Sequence, residues 1–223
     1  MRLLLWVIPV LVLATDLGAG QAKHPVSGRE IAPVMGMGGA GWLIRSEREQ
    51  EERPDLALDL IGINKGSAVA DVGAGVGYFS LRLAKRVGQE GKVYANDIQP
   101  KMLALLKENA ERAGLTNIEL VQGTETDPHL PANTIDLVLL VDVYHEFSNP
   151  TEMLDGIRSS LKPDGRLVLL EYRKEDPAVP IREEHKMTVQ QVKDELAPQG
   201  FLLEKVLGEL PRQHILIFRK KPN

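Results

Sequence analysis

Asp71, Gly73, Gly75 and Gly77, at alternating positions of this 223-residue chain, are the residues best suited to hold a small molecule. A short apolar run from Ser67 to Val72 precedes the glycines, and Phe79, Leu81, Leu83, Ala84 and Val87 follow at helical spacing. Glycines at such a strand-to-helix turn let the backbone approach a ligand and point N–H groups at it. A dinucleotide fingerprint needs a third glycine where this chain has Tyr78 or Ser80, depending on register. An acid at position 71 suits an ammonium group and repels a pyrophosphate. Asp97 stands 20 residues after Gly77, at the end of a second run from Gly91. A carboxylate there can accept both hydroxyls of a ribose.

A second set of residues could move protons. Val141-Asp-Val-Tyr-His-Glu-Phe147 places Tyr144, His145 and Glu146 side by side, and His145 is the first candidate for a general base near neutral pH. Glu171-Tyr172-Arg173 and His185-Lys186 add two cations, an acid and a second imidazole, and Arg173 and Lys186 would favour an anionic group. Gly123-Thr-Glu-Thr-Asp127 offers Thr124 and Asp127, which read equally as turn formers before Pro128. Two histidines with nearby carboxylates could bind a divalent ion, but no compact ligand spacing exists and no metal is expected.

The elements that must position these groups alternate. Strands are expected over 67–72, 92–97, 117–122, 134–141 and 166–172, and helices over 54–61, 78–87, 100–113, from a cap at Asn149 to about Lys162, and 188–199. The run over 134–141 is apolar throughout and belongs at the centre of a sheet. Two last strands, 201–208 and 214–219, suit a hairpin. Ligands in such sheets lie beyond the carboxyl ends of the strands.

Together the Asp71-x-Gly73-x-Gly75-x-Gly77 turn, Asp97 and the element order resemble the class I S-adenosylmethionine-dependent methyltransferases over roughly Arg53 to Lys220. The resemblance implies an α/β, Rossmann-like, seven-stranded and mostly parallel sheet, with helices on both faces and an antiparallel C-terminal hairpin. It implies S-adenosylmethionine as cofactor, held by Asp71, Gly73, Gly75, Gly77 and Asp97, with Thr124, Asp127 and Asp142 completing that side. Thr124 departs from the acid common at its position, so the adenine contact stays open between it and Asp127. The fourth strand end lacks the Asn/Asp-Pro-Pro-Tyr/Phe run of many amine methylating relatives. A small-molecule acceptor is therefore expected, with Tyr144, His145, Glu146, Glu171, Arg173 and His185 on its side. An exported binding protein that keeps the fold without catalysis is the alternative. A dinucleotide oxidoreductase is disfavoured by Tyr78 and the terminal hairpin.

Composition limits the remainder. Hydrophobic residues make up 43% and charged ones 26%, and the net charge of −4 has no basic block, which argues against nucleic acid. There is no cysteine, hence no disulfide. Arg2, an apolar run from Leu3 to Ala14, and small residues at Ala19, Gly20 and Ala22 have the order of a signal peptide over 1–22. Export to the periplasm or medium, without stable membrane association after cleavage, is the expectation. Residues 23–53 read as a glycine-rich loop and a helix that covers the ligand or closes an edge, with Ser46 and Glu49 as a capping box. Residues 54–223 read as the main domain.

Overall fold

A computed structural model describes residues 22–221. The expected signal peptide lies outside the described residues, apart from Ala22. Two short helices, α1 (Ala40–Leu43) and α2 (Arg48–Glu51), lead into α3 (Pro54–Ile61). Then follow β1 (Ala68–Val72), α4 (Tyr78–Val87), β2 (Lys92–Asp97), α5 (Pro100–Arg112), β3 (Ile118–Gln122) and β4 (Ile135–Val141). The chain continues through α6 (Pro150–Ser160), β5 (Leu161–Arg173), β6 (Lys186–Met187), α7 (Val189–Leu196), β7 (Phe201–Leu207) and β8 (Gln213–Lys220).

The sheet order is β3-β2-β1-β4-β5-β8-β7, with β8 antiparallel to both neighbours. This is the expected seven-stranded arrangement, and the two-residue β6 adds a parallel partner to the end of β5. Both faces are covered, which is why the central strands are apolar throughout. Val138, Leu140, Leu167, Leu169, Leu216 and Phe218 enter one core, while Leu137, Leu139, Val168, Leu170, Ile215 and Ile217 enter the other. Alternation by two along each strand assigns the faces. Burying each such side chain contributes roughly 1.5–3 kcal/mol.

Chain order reverses between β1 and β4, which opens a crevice at their carboxyl ends. Three local expectations are corrected. Ser46 does not cap α2, whose preceding residue is Glu47 with no side-chain cap, and Ser46 Oγ instead donates to Glu47. Asn149 makes no cap bond either; its amide turns to Ser148. Strand β5 starts at Leu161, paired with Ile135, and a register shift absorbs residues 162–165. A genuine capping box stands at Thr188, which accepts from the Gln191 N–H and receives the Gln191 side chain on its own N–H.

Candidate active site

A cavity of about 450 Å³ lies over the carboxyl ends of β1, β2, β4 and β5. Gly73, Gly75 and Asp97 line one part of it, and His145, Glu146 and His185 line another. Residues 33–35 and the segment from Trp42 to Glu52 add a further wall. Leu43 packs over the glycine turn, while Trp42 is half exposed and lies under the Arg45 guanidinium at 3.6 Å.

The turn is built for close approach. Gly73 has φ +75°, and a Cβ there would stand 2.3 Å from Val143 Cγ2. At Gly75, φ is +53° and a Cβ would meet Leu43 at 2.8 Å. Both backbones take left-handed geometry in space that a side chain would fill. Asp97 Oδ2 accepts the Gly75 N–H and Oδ1 the Gln99 N–H, each at 2.8 Å. Burial raises its carboxyl above the ordinary range, and the N–H groups of Gln99, Gly75 and Ile98 oppose the rise. Each oxygen keeps an acceptor site for a ribose hydroxyl.

Across the cavity the imidazole of His145, 2% exposed, gives a 2.6 Å contact from Nδ1 to Glu171 Oε2. Glu171 is fully buried and also accepts the Tyr144 N–H at 3.0 Å. His145 Nε2 is 3.1 Å from His185 Nδ1, and His185 Nε2 is 3.1 Å from the Arg182 guanidinium. Arginine only donates, which fixes the direction of the chain. Arg182 donates to His185, His185 Nδ1–H to His145 Nε2, and His145 Nδ1–H to Glu171. Burial lowers the His145 pKa, but the charge and hydrogen bond of Glu171 outweigh it, so His145 is a stronger base than a free imidazole. Burial, then His145 and Arg182, hold His185 below its ordinary value. Glu146 is pushed up to about 7 by burial, against the pull of His145 and the Met35 N–H.

The family described as "Methyltransferase domain" matches residues 63–210, about two thirds of the chain. The chain belongs to the class I S-adenosylmethionine-dependent methyltransferases. A SAM-dependent methyltransferase from Aquifex aeolicus superposes with a TM-score of 0.78 at 27% identity, covering 83% of this chain and 98% of that one. The [4+2]-cyclase SpnF shares the fold, with a TM-score of 0.65 at 17% identity over 77% of this chain and 81% of its own. A ubiquinone/menaquinone biosynthesis C-methyltransferase of Cronobacter sakazakii is 30% identical over 120 residues, 53% of this chain and 48% of that protein. The chain thus spans about half the length of the curated relatives it matches.

S-adenosylmethionine is the cofactor of this methyltransferase, and the residues fit it. The crowded glycine turn, the doubly anchored Asp97 and a cavity of nucleoside size lie together. Asp142 also lines the cavity in a left-handed conformation (φ +53°), an uncommon state for a non-glycine residue and one that concentrates at working sites. Its Oδ2 accepts from Gln213 at 2.7 Å, while Oδ1 is buried without a hydrogen-bond partner among the described residues. Burial, then the charges of Glu52 and Glu171, hold the Asp142 carboxyl well above its ordinary range.

Several expected site residues stand elsewhere. Tyr144 is fully buried and turns away to His24, 3.1 Å from its hydroxyl, beneath Arg29. Arg173 binds the carbonyls of Gly208, Leu210 and Pro211, tying β5 to the terminal hairpin rather than meeting an anion. Lys186 is buried and pairs with Glu183. Asp127 is a turn former: its Oδ1 accepts the His129 N–H and its carbonyl the Thr124 N–H. Thr124 does line the cavity, beside Glu125. Gly77 lies behind the turn, where a Cβ would strike Leu106 and Leu81, so its role is helix packing. Glu171 does not line the cavity; it orients His145 from below.

Asp71 also misses the cavity. It lies under the turn and accepts from Ser80 Oγ at 2.5 Å. Burial raises its pKa to about 6, against the Ser80 bond and with help from Asp97. The native state therefore binds this proton more tightly than the unfolded chain does. Stability falls as pH rises through the interval from about 4 to 6, and is level above it, by about 2–3 kcal/mol. Asp71→Asn removes that slope. Urea unfolding of both proteins across this interval checks it, and a gap that does not change with pH would sink the assignment.

Sequence reasoning missed Arg48 and Glu52. Arg48, 5% exposed, donates to Glu52 at 2.6 Å and to the Leu43 carbonyl at 2.7 Å. Glu52 also receives Arg45 at 2.9 Å and the Tyr172 hydroxyl at 2.8 Å. The i,i+4 spacing of Arg48 and Glu52 was the available signal.

Proposed function

We propose that the methyltransferase acts on an ionisable hydroxyl, or on the ring carbon beside it, of a small conjugated acceptor. The observation that carries this reading is the 2.6 Å His145–Glu171 pair in the same cavity as Gly73, Gly75 and Asp97. S-adenosylmethionine, when bound, supplies a methyl group on a cationic sulfur that a nucleophile can displace. With its Nδ1 proton committed to Glu171, His145 keeps its lone pair on Nε2, where it accepts the His185 Nδ1–H; the acceptor hydroxyl takes the place of that donor when His145 removes its proton. Removing that proton puts negative charge on the oxygen and, in a phenol or enol, on the adjacent carbon. Glu171 then balances the imidazolium. Val143, Phe147, Met153 and Ile181 line the cavity with apolar surface suited to a ring. Similarity to enzymes named for C-methyl transfer in quinone biosynthesis supports an acceptor of this class.

Incubation of the protein with methyl-labelled S-adenosylmethionine and a panel of phenols, enols, thiols and amines tests the reading. Label in the phenols or enols is the expected result. Label confined to amines or thiols would overturn it. The net charge of −4 favours a small acceptor over nucleic acid. We also propose export with removal of residues 1–22, supported by Arg2, the apolar Leu3–Ala14 run and the small residues before Lys23. Fractionation with N-terminal sequencing tests that part, and a cytosolic protein that retains Met1 would end it.

A further inference from the structure

We infer that His145, Glu146 and His185 form a divalent metal site at the acceptor end of the cavity. One ring nitrogen of His145, one of His185 and a carboxylate oxygen of Glu146 all lie within 4.8 Å of one another, and the nitrogens that face each other are His145 Nε2 and His185 Nδ1. All three residues line the cavity, so an ion there keeps open positions toward a substrate. The two nitrogens are 3.1 Å apart. Two metal–nitrogen bonds of ~2.1 Å subtend roughly 95–100° at that separation, between octahedral and tetrahedral angles. The rings stand nearly perpendicular, at 85°, so neither blocks the other's lone pair by stacking.

A second observation is independent of the three ligands. Glu171 accepts from His145 Nδ1 at 2.6 Å and is itself anchored by the Tyr144 N–H. A carboxylate behind a ligating imidazole fixes its tautomer and orientation, the usual companion of a metal-bound histidine. The main-chain carbonyl of His145 is pinned as well, by the Ala32 N–H at 3.1 Å and Arg29 at 3.0 Å. Two contacts oppose the site, and the first is the His185 Nδ1–H donation to His145 Nε2, which an ion must replace. In the second, Arg182 donates to His185 Nε2, which must carry the ring proton once Nδ1 binds a metal. The Arg182 side chain is 71% exposed and already reaches Glu184 at 3.4 Å, so it can turn away.

Two imidazoles, one carboxylate and an open face suit Zn²⁺ or another first-row divalent ion. The inference rests on the methyl-transfer reading and changes one part of it. The His145 lone pair holds the ion, and the acceptor hydroxyl ionises on the metal, its proton leaving to solvent. The O–CH₃ or C–CH₃ bond then forms as the S–CH₃ bond breaks, with the electron pair staying on sulfur; for a ring carbon, the ring proton is lost afterwards. The sequence expectation of no metal rested on spacing, and these ligands come from two loops 40 residues apart.

The test uses untagged full-length protein stripped with chelator and titrated with Co²⁺, followed by visible absorption, and with Zn²⁺ against a competing chelator. One ion per chain is expected. His185→Ala and Glu146→Gln should each weaken binding at least about tenfold. Arg182→Ala should leave it unchanged or tighter. Thermal unfolding of each metal-free variant shows whether it folds. No stoichiometric uptake, or uptake indifferent to both ligand substitutions, overturns the site. S-adenosylmethionine titration of the metal-free protein separates the two readings. Cofactor binding without metal uptake sinks the metal alone, and metal uptake without cofactor binding sinks the methyl-transfer reading.

Discussion

Asp97→Ala abolishes useful affinity for S-adenosylmethionine, with a loss of at least about 10²-fold expected from two hydroxyl-to-carboxylate hydrogen bonds worth ~1.5–3 kcal/mol each. The substitution also strands the N–H groups of Gly75 and Gln99, which Asp97 now accepts at 2.8 Å. Each lost partner costs about 1–3 kcal/mol where the group is buried. The alanine variant therefore confounds folding with binding, and Asp97→Asn is the cleaner companion. An asparagine keeps the shape but turns an amide toward one of those two donors, so it disturbs the turn and removes one ribose acceptor. Calorimetric titration with S-adenosylmethionine, beside thermal unfolding, distinguishes the effects. Unchanged affinity in a folded Asp97→Asn protein would mean that the ribose lies elsewhere.

Glu171→Gln lowers kcat by about 10²–10⁴ with little change in cofactor affinity. The argument is one of tautomers. Glu171 now accepts from two donors, the Tyr144 N–H on Oε1 and His145 Nδ1 on Oε2. Glutamine has one oxygen, and the backbone N–H cannot change its nature, so the amide NH₂ must face the imidazole. His145 then accepts at Nδ1 and carries its proton on Nε2. That form has no lone pair facing the cavity, either for a substrate proton or for a metal. Glu171 does not line the cavity, which is why affinity should hold. His145→Ala gives a comparable loss of rate, but it leaves the Glu171 charge buried and unpaired. Breaking such a pair costs about 3–5 kcal/mol. Single-turnover rates and Kd for both variants check this. A Glu171→Gln protein with normal kcat would remove the pair from the mechanism.

Much of the fold was legible because the signals were local. Alternation of strands and helices, the uniformly apolar 134–141 run, and the Pro211-containing break between the last strands each report on a few neighbouring residues. The caps at Ser46 and Asn149 failed because the helix starts are set by the surrounding chain: α2 begins one residue later, after Glu47, and Asn149 directs no oxygen to the N–H groups of α6. Arg173 was misread for a similar reason. A cation near a strand end can meet a ligand or a row of carbonyls, and the carbonyls of the 208–211 turn come from a distant part of the chain.

The sequence by itself determined the glycine turn, the acid after β2 and the order of elements, since backbone conformation and hydrophobic period are properties of short segments. It therefore determined the family. The tertiary structure alone decided which groups face the cavity. It put Asp71 and Gly77 behind the turn, turned Tyr144 to His24, and brought His185 within 3.1 Å of His145. The physical reason is that burial and tautomer depend on partners far away in the chain. Glu171, 26 residues beyond His145, decides which nitrogen of that ring carries the proton.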